Sequence, residues 1–152
     1  MNENMSEKSA APKLVLSNPA DGTAKSIQLE PRLFQLFIGK KIGDEVDGSI
    51  VGFKGYKIKI TGGTDRDGFP MRPDVSGPRK VRILLSGGVG FHPREKPSSK
   101  KKKKRLKRKK KGLRKRKTVR GNVISDAIAQ INAVLIPVQS PPRKESQEAQ
   151  PA

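Results

Sequence analysis

Apolar and polar residues alternate over short runs that glycine and proline interrupt, the pattern of a chain built from strands and turns. The cleanest run is Tyr56-Lys57-Ile58-Lys59-Ile60-Thr61. Tyr56, Ile58 and Ile60 share one face, and Lys57, Lys59 and Thr61 the other. Val81 to Ser86 repeats the pattern, with Val81, Ile83 and Leu85 inward. Nearer the N-terminus, Leu14-Val15-Leu16 lies within Lys13 to Ser17, and Ile27 and Leu29 share a side of Lys25 to Glu30. Asn18-Pro19-Ala20-Asp21-Gly22 between them is turn chemistry, so the pair predicts a hairpin.

One short helix is predicted, opened by Pro31, running through Arg32 to Ile38 and ended by Gly39. Gly52 to Gly55 predict a turn, Gly62 to Gly77 a long loop, and Gly87 to Gly90 a closing turn. Residues 125–136 fit two elements. Ile124, Ile128, Ile131 and Leu135 have helical spacing with Ser125 as a cap, while Asn132 to Ile136 suits a buried strand; Pro137 stops either. The sum is a mainly β chain, a small barrel or sandwich with one short helix. Residues 1–11 form a flexible arm, 12–136 a single domain, and 137–152 a disordered tail.

Charge changes this picture. The 152 residues include 34 Lys and Arg against 14 Asp and Glu, a net charge of +20. Residues 1–95 are almost balanced, with 15 basic and 11 acidic side chains, whereas residues 96–120 hold 17 basic and no acidic ones. Between Lys100 and Lys117 the only strongly apolar side chains are Leu106 and Leu113, so this strap cannot form a conventional core element. Its like charges repel, and alone it is expected to be extended or disordered. A polyanion removes the repulsion and releases counterions, which points to nucleic acid. Apolar sequence resumes at Thr118-Val119, so the strap is a long loop held at both ends; it loses less entropy on docking than a free tail.

Other chemistry is thin. Without Cys there is no disulfide or thiolate site; His92, the only histidine, has no second His or Cys for a metal, and although a Ser-His-Asp set is formally possible, no serine lies in a Gly-x-Ser-x-Gly elbow. Asp65-Arg66-Asp67-Gly68 opens like a calcium loop but lacks the distal Glu, which leaves a turn. Gly62-Gly63 and Gly87-Gly88-Val89-Gly90 suit hairpin turns or backbone contact with phosphate, and neither is a P-loop. Aromatics are few. Tyr56 and Phe34 read as core; Phe69 and Phe91, in loops beside Arg and Pro, are the candidates for RNA contact. No apolar run is long enough for a membrane helix, and Met1 to Pro12 is no secretory signal.

Particular pieces carry a resemblance. They are Gly43-Asp44-Glu45-Val46, Gly55 through Gly63, Asp65 through Asp67-Gly68-Phe69-Pro70-Met71, Val81 through Ser86, and Lys115-Arg116-Lys117-Thr118-Val119-Arg120-Gly121. In this order they resemble the archaeal and eukaryotic small-subunit ribosomal protein family S6e over about residues 12–136. The eukaryotic helical extension is missing, so the resemblance is to the archaeal type. It implies a β-barrel body on ribosomal RNA of the small subunit, beside neighbouring ribosomal proteins, in the cytoplasm. It implies no enzymatic activity, cofactor, metal, membrane or small-molecule substrate. It also favours a strand over about Gln130 to Ile136.

On that basis the expected RNA-binding residues of the body are Lys57, Lys59, Arg66, Arg72, Arg79 and Arg82. In the strap they are Lys100, Lys101, Lys102, Lys103, Lys104, Arg105, Lys107, Arg108, Lys109, Lys110, Lys111, Arg114, Lys115, Arg116, Lys117 and Arg120. The arginines suit bidentate phosphate contacts, and the lysines act as point charges.

Overall fold

A computed structural model describes residues 11–94 and 111–138. The chain runs β1 (Lys13–Asn18), β2 (Thr23–Gln28), α1 (Pro31–Gln35), β3 (Glu45–Asp47), a 3-10 turn (Gly48–Val51), β4 (Tyr56–Asp65), β5 (Lys80–Leu85), β6 (Lys115–Arg120) and β7 (Ile128–Pro137). The mainly β reading and the single short α-helix hold. The strands form a five-stranded sheet in the order β2-β1-β7-β4-β3 and a two-stranded ribbon of β5 and β6. Among the described residues the sheet does not close into a barrel: β2 and β3 remain its edges. The arm and tail lie outside the described residues except for Ala11, Pro137 and Val138.

The alternation read in the sequence decides which side of the sheet is covered. Ile58 and Ile60 on β4, Leu14 and Leu16 on β1, and Ile131, Ala133 and Leu135 on β7 are all buried on one face. Phe34 and Phe37, from α1 and the turn after it, cover that face with Leu29, Ile124 and Met71. Segment 125–136, open between helix and strand, is resolved by register. β7 pairs with β1 in parallel and with β4 in antiparallel fashion, so its apolar residues are hidden between two neighbours. A helix there would leave one edge of β1 and one edge of β4 without partners and split the sheet in two.

The strand at Tyr56 is longer than its sequence suggests. Gly62 and Gly63, read as the start of a loop, continue β4 opposite Asn132 and Ile131, with bulges at Ile60/Gly62 and Thr64/Asp65. Gly63 is required by proximity: a Cβ there would lie 2.6 Å from the Gln130 carbonyl oxygen and 2.9 Å from Met71 Sδ. These glycines make neither a turn nor a phosphate nest.

The strap is also shorter at its C-terminal end than its charge suggests. Lys115 to Arg120 form β6, paired residue for residue with Leu85 to Lys80. Backbone pairing overrides the charge because alternate side chains still reach solvent on one side. Beneath the ribbon, Leu85, Phe91 and Val119 are buried, with Val75, Ile83 and Leu113 packed against them. Phe91 is therefore core and not the RNA-facing aromatic that its loop position suggested.

Candidate nucleic-acid interface

The ribbon joins the sheet through the two most distinctive stretches of the sequence. Arg120 at the end of β6 donates its backbone N–H to the Pro70 carbonyl (2.9 Å), and Arg72 donates back to the Arg120 carbonyl (2.9 Å). The Arg120 side chain turns inward, with Nη1 3.4 Å from Oδ2 of Asp65 and Nη2 3.4 Å from the Ser125 hydroxyl. Asp65 is almost wholly enclosed, its side chain 2% exposed, and Lys80 Nζ approaches the same carboxylate at 3.8 Å. Arg120 was expected to contact phosphate. It is instead a buried ion-pair partner that closes β4 and the following turn against β6. The next residue tightens the joint: a Cβ on Gly121 would collide with the Gly77 carbonyl oxygen. No sequence signal marks this role, because Asp65 falls in the stretch expected to be a loop; its enclosure, which calls for a cation, shows only in the fold.

The turn after β4 is a turn, as its composition predicts. The Gly68 N–H donates to the Asp65 carbonyl at 2.9 Å. Asp67 is exposed and bonded to Lys80; that hydrogen bond first, and the Lys80 charge second, hold its carboxyl below the ordinary aspartate range. Lys80 Nζ also lies 5.3 Å from the centre of the Phe69 ring. No group of three metal-ligating side chains forms among the described residues.

The expected cations separate into distinct sets. Arg82 on β5 and Arg116 on β6 are exposed on the same side of the ribbon, with Thr118 half-buried opposite Arg82 and exposed Leu84 opposite Arg116. Lys117 and Lys115 are exposed from the other register, and Lys117 Nζ lies 5.8 Å from the centre of Phe91. Lys111 and Arg114 are exposed where the strap returns to β6. Arg66 and Arg79 are exposed on the turns leading out of β4 and into β5. Arg72 is committed inside the protein: Nη1 donates to the Val89 carbonyl at 2.7 Å and Nη2 bonds to Asp74, so it ties down the Gly87–Gly90 turn. Lys57 and Lys59 lie toward the other end of β4. Lys57 is roughly 25 Å from Asp65 by strand rise, and it pairs with Glu45 at 3.2 Å. Lys59 sits opposite Glu45 in the register with β3.

Lys100 to Lys104, Arg105, Lys107, Arg108, Lys109 and Lys110 lie outside the described residues. Both ends of the strap are nevertheless placed. On one side Phe91 is buried in the ribbon core before His92-Pro93-Arg94; on the other Leu113 packs into the same cluster before β6. Both ends of the strap are thus held by the ribbon's own small core, next to the strands that carry Arg82, Arg116 and Lys117. Sequence reasoning missed Thr118 and Leu84 on this face. Alternation along Lys80 to Leu85 placed Leu84 outward, but an exposed leucine carries no signal by itself.

The comparisons with known proteins agree in direction. The model of the family described as Ribosomal protein S6e matches residues 12–145. The chain is 50% identical to the small ribosomal subunit protein eS6 of Archaeoglobus fulgidus over 125 residues, 82% of this chain and 85% of that one. It is 49% identical to the protein of the same name from Methanothermobacter thermautotrophicus over 123 residues, 80% of this chain and 86% of the relative. The Methanoculleus marisnigri protein of that name is 46% identical over 123 residues, 81% of this chain and 82% of the relative.

Proposed function

The chain belongs to the ribosomal protein S6e family, and from that premise we propose how it serves as a structural constituent of the small ribosomal subunit. The sheet is the scaffold, and the ribbon with its strap is the part that meets ribosomal RNA. The observation that carries this division is the placement of charge. Arg82, Arg116, Lys117, Arg114 and Lys111 are exposed on or beside the ribbon that also holds both strap ends, whereas Lys57 at the far end of the sheet is spent on Glu45. Arg66 and Arg79 flank the ribbon face and extend it.

The strap supplies the larger electrostatic share. Lys100 to Lys104, Arg105, Lys107, Arg108 and Lys109 to Lys111 neutralise phosphates that approach one another in folded RNA. Anchoring at Phe91 and Leu113 limits the entropy lost when it orders on RNA. Phosphates and shape, more than base sequence, are what such a surface reads. The role is structural, within translation, and its partners are ribosomal RNA and neighbouring ribosomal proteins. Its place is the cytoplasmic ribosome. No helix among the described residues is long and apolar enough to cross a membrane.

The test is sedimentation of the tagged protein from lysate through a sucrose gradient, before and after a wash at about 0.5 M salt, which strips binding that rests on exposed phosphate contacts alone. Retention in the small-subunit fraction is expected. Release into the light fractions would make it a free RNA-binding assembly protein.

A further inference from the structure

Beside the ribbon lies a groove of about 470 Å³, lined by Gly68, Phe69, Pro70, Arg82, Gly90, Arg116, Lys117 and Thr118. Its size falls in the ~300–1,000 Å³ range of sites that take a single small ligand. Three of its lining residues are cationic, with Arg82 and Arg116 projecting from one side of the ribbon beside Thr118, and Phe69 and Pro70 lie in its wall. Among the described residues no carboxylate lines it. Two other hollows differ in this respect: one is lined by Asp21 and the other by Glu45 and Asp47. Asp67, beside Gly68 in the same turn, is engaged by Lys80.

We propose that this groove takes one unpaired nucleotide of RNA, its base against Phe69 and Pro70 and its flanking phosphates on Arg82 and Arg116. The idea rests on the ribosomal reading above and sharpens it from a charged surface to a built subsite. Stacking on an aromatic wall needs a base that has left its helix, because a paired base offers no free face. Phe69 is half-buried and held by the turn before it, with Lys80 over its ring, so the wall is formed before RNA arrives. The Thr118 hydroxyl, at the floor between Arg82 and Arg116, can exchange a hydrogen bond with a ribose 2′-hydroxyl or a base edge.

The experiment uses the full chain and two probes of equal phosphate content, a uridine-rich single strand and a blunt RNA duplex. Ultraviolet cross-linking to the single strand, read by mass spectrometry, is expected to mark the peptide containing Phe69. Single strand should compete the adduct away and duplex should not. The R82A/R116A variant, changed only at exposed positions, should keep its fold by circular dichroism. It should lose about tenfold of the Phe69 adduct while strap adducts persist. F69L should lose the adduct and weaken binding of the single strand several-fold while leaving binding of the duplex unchanged. Adducts confined to the strap, or equal competition by duplex, would overturn the subsite. Neither result depends on sedimentation, so a protein that stays with the subunit yet gives no Phe69 adduct refutes the groove alone. One that leaves the subunit refutes the ribosomal reading whatever the adducts.

Discussion

The sheet and the ribbon solve opposite problems with the same element. In the sheet, thirteen residues form one buried cluster, and β7 is hidden between two neighbours. Under the ribbon, three apolar residues are buried, and the strands present cations instead of a second covered face. A core of three side chains cannot hold two strands by burial alone. The ribbon persists because it is attached. The Arg120 backbone N–H donates to Pro70 and its carbonyl accepts from Arg72, Asn122 donates to Val75 at 2.8 Å, and Asp65 receives the Arg120 side chain. The stretches that most specifically mark the family, around Asp65 to Met71 and Lys117 to Gly121, therefore meet in space. They form the joint between scaffold and RNA-facing part, with the groove at its edge.

The strongest way to break the comparison is to break the joint. Asp65→Ala leaves Arg120 as an enclosed, unpaired charge and is expected to cost about 3–5 kcal/mol, measured by chemical denaturation. Pairing it with Arg120→Met should recover much of that stability, because the desolvated charge goes too. A double-mutant cycle with no recovery would show that the two residues act separately.

Next comes the contrast in cores. Ile131→Ala, in the middle of the sheet, should cost about 2–5 kcal/mol and lower the melting temperature of the whole domain. Leu85→Ala should fall at the low end of that range, since its small cluster can relax. Amide exchange should then rise in β5 and β6 first and leave β4 and β7 protected. Uniform loss of protection would mean that ribbon and sheet are one cooperative unit.

Gly121→Ala tests the joint by steric means. Its new methyl meets the Gly77 carbonyl and forces the backbone apart, an overpacking penalty of about 1–3 kcal/mol by denaturant titration.

The smallest effect is in pH. Asp67 is held below the ordinary aspartate value of 3.8 by Lys80. A carboxyl depressed in the folded state adds stability above its unfolded pKa and loses it as pH falls through the lower folded value. The change is therefore confined to acid solution below about pH 4. Carbon NMR of the Asp67 carboxyl should show the lowered midpoint, and Lys80→Ala should return it toward the ordinary value.

Much of the sheet and one strand of the ribbon were legible because half-buried strands write their burial as alternation: Tyr56 to Thr61 and Val81 to Ser86 could be placed with the correct faces inward. What escaped has physical causes. Gly62 and Gly63 look like loop residues, yet β4 continues through them because Gln130 and Met71 leave no room for a side chain at Gly63. Lys115 to Arg120 looked like strap, because charge hides a strand whose partner is distant in sequence. Arg120 looked like its neighbours, and only the enclosed Asp65 reveals its role. Segment 125–136 has helical spacing and β pairing at once, and pairing is a property of β1 and β4, not of the segment itself. Separation of the remaining cations into ribbon and sheet sets depended on register, which no local pattern carries.

The central claim is that RNA meets the ribbon and not the far end of the sheet. The most direct measurement is the salt dependence of RNA affinity for two double variants of the full chain, R82A/R116A and K57A/K59A. Removing one phosphate-binding cation should lower the magnitude of the log–log slope by about 0.7–0.9. The account predicts a slope reduced by close to twice that amount for R82A/R116A and an unchanged slope for K57A/K59A. The reverse pattern, or equal reductions in both, would contradict it.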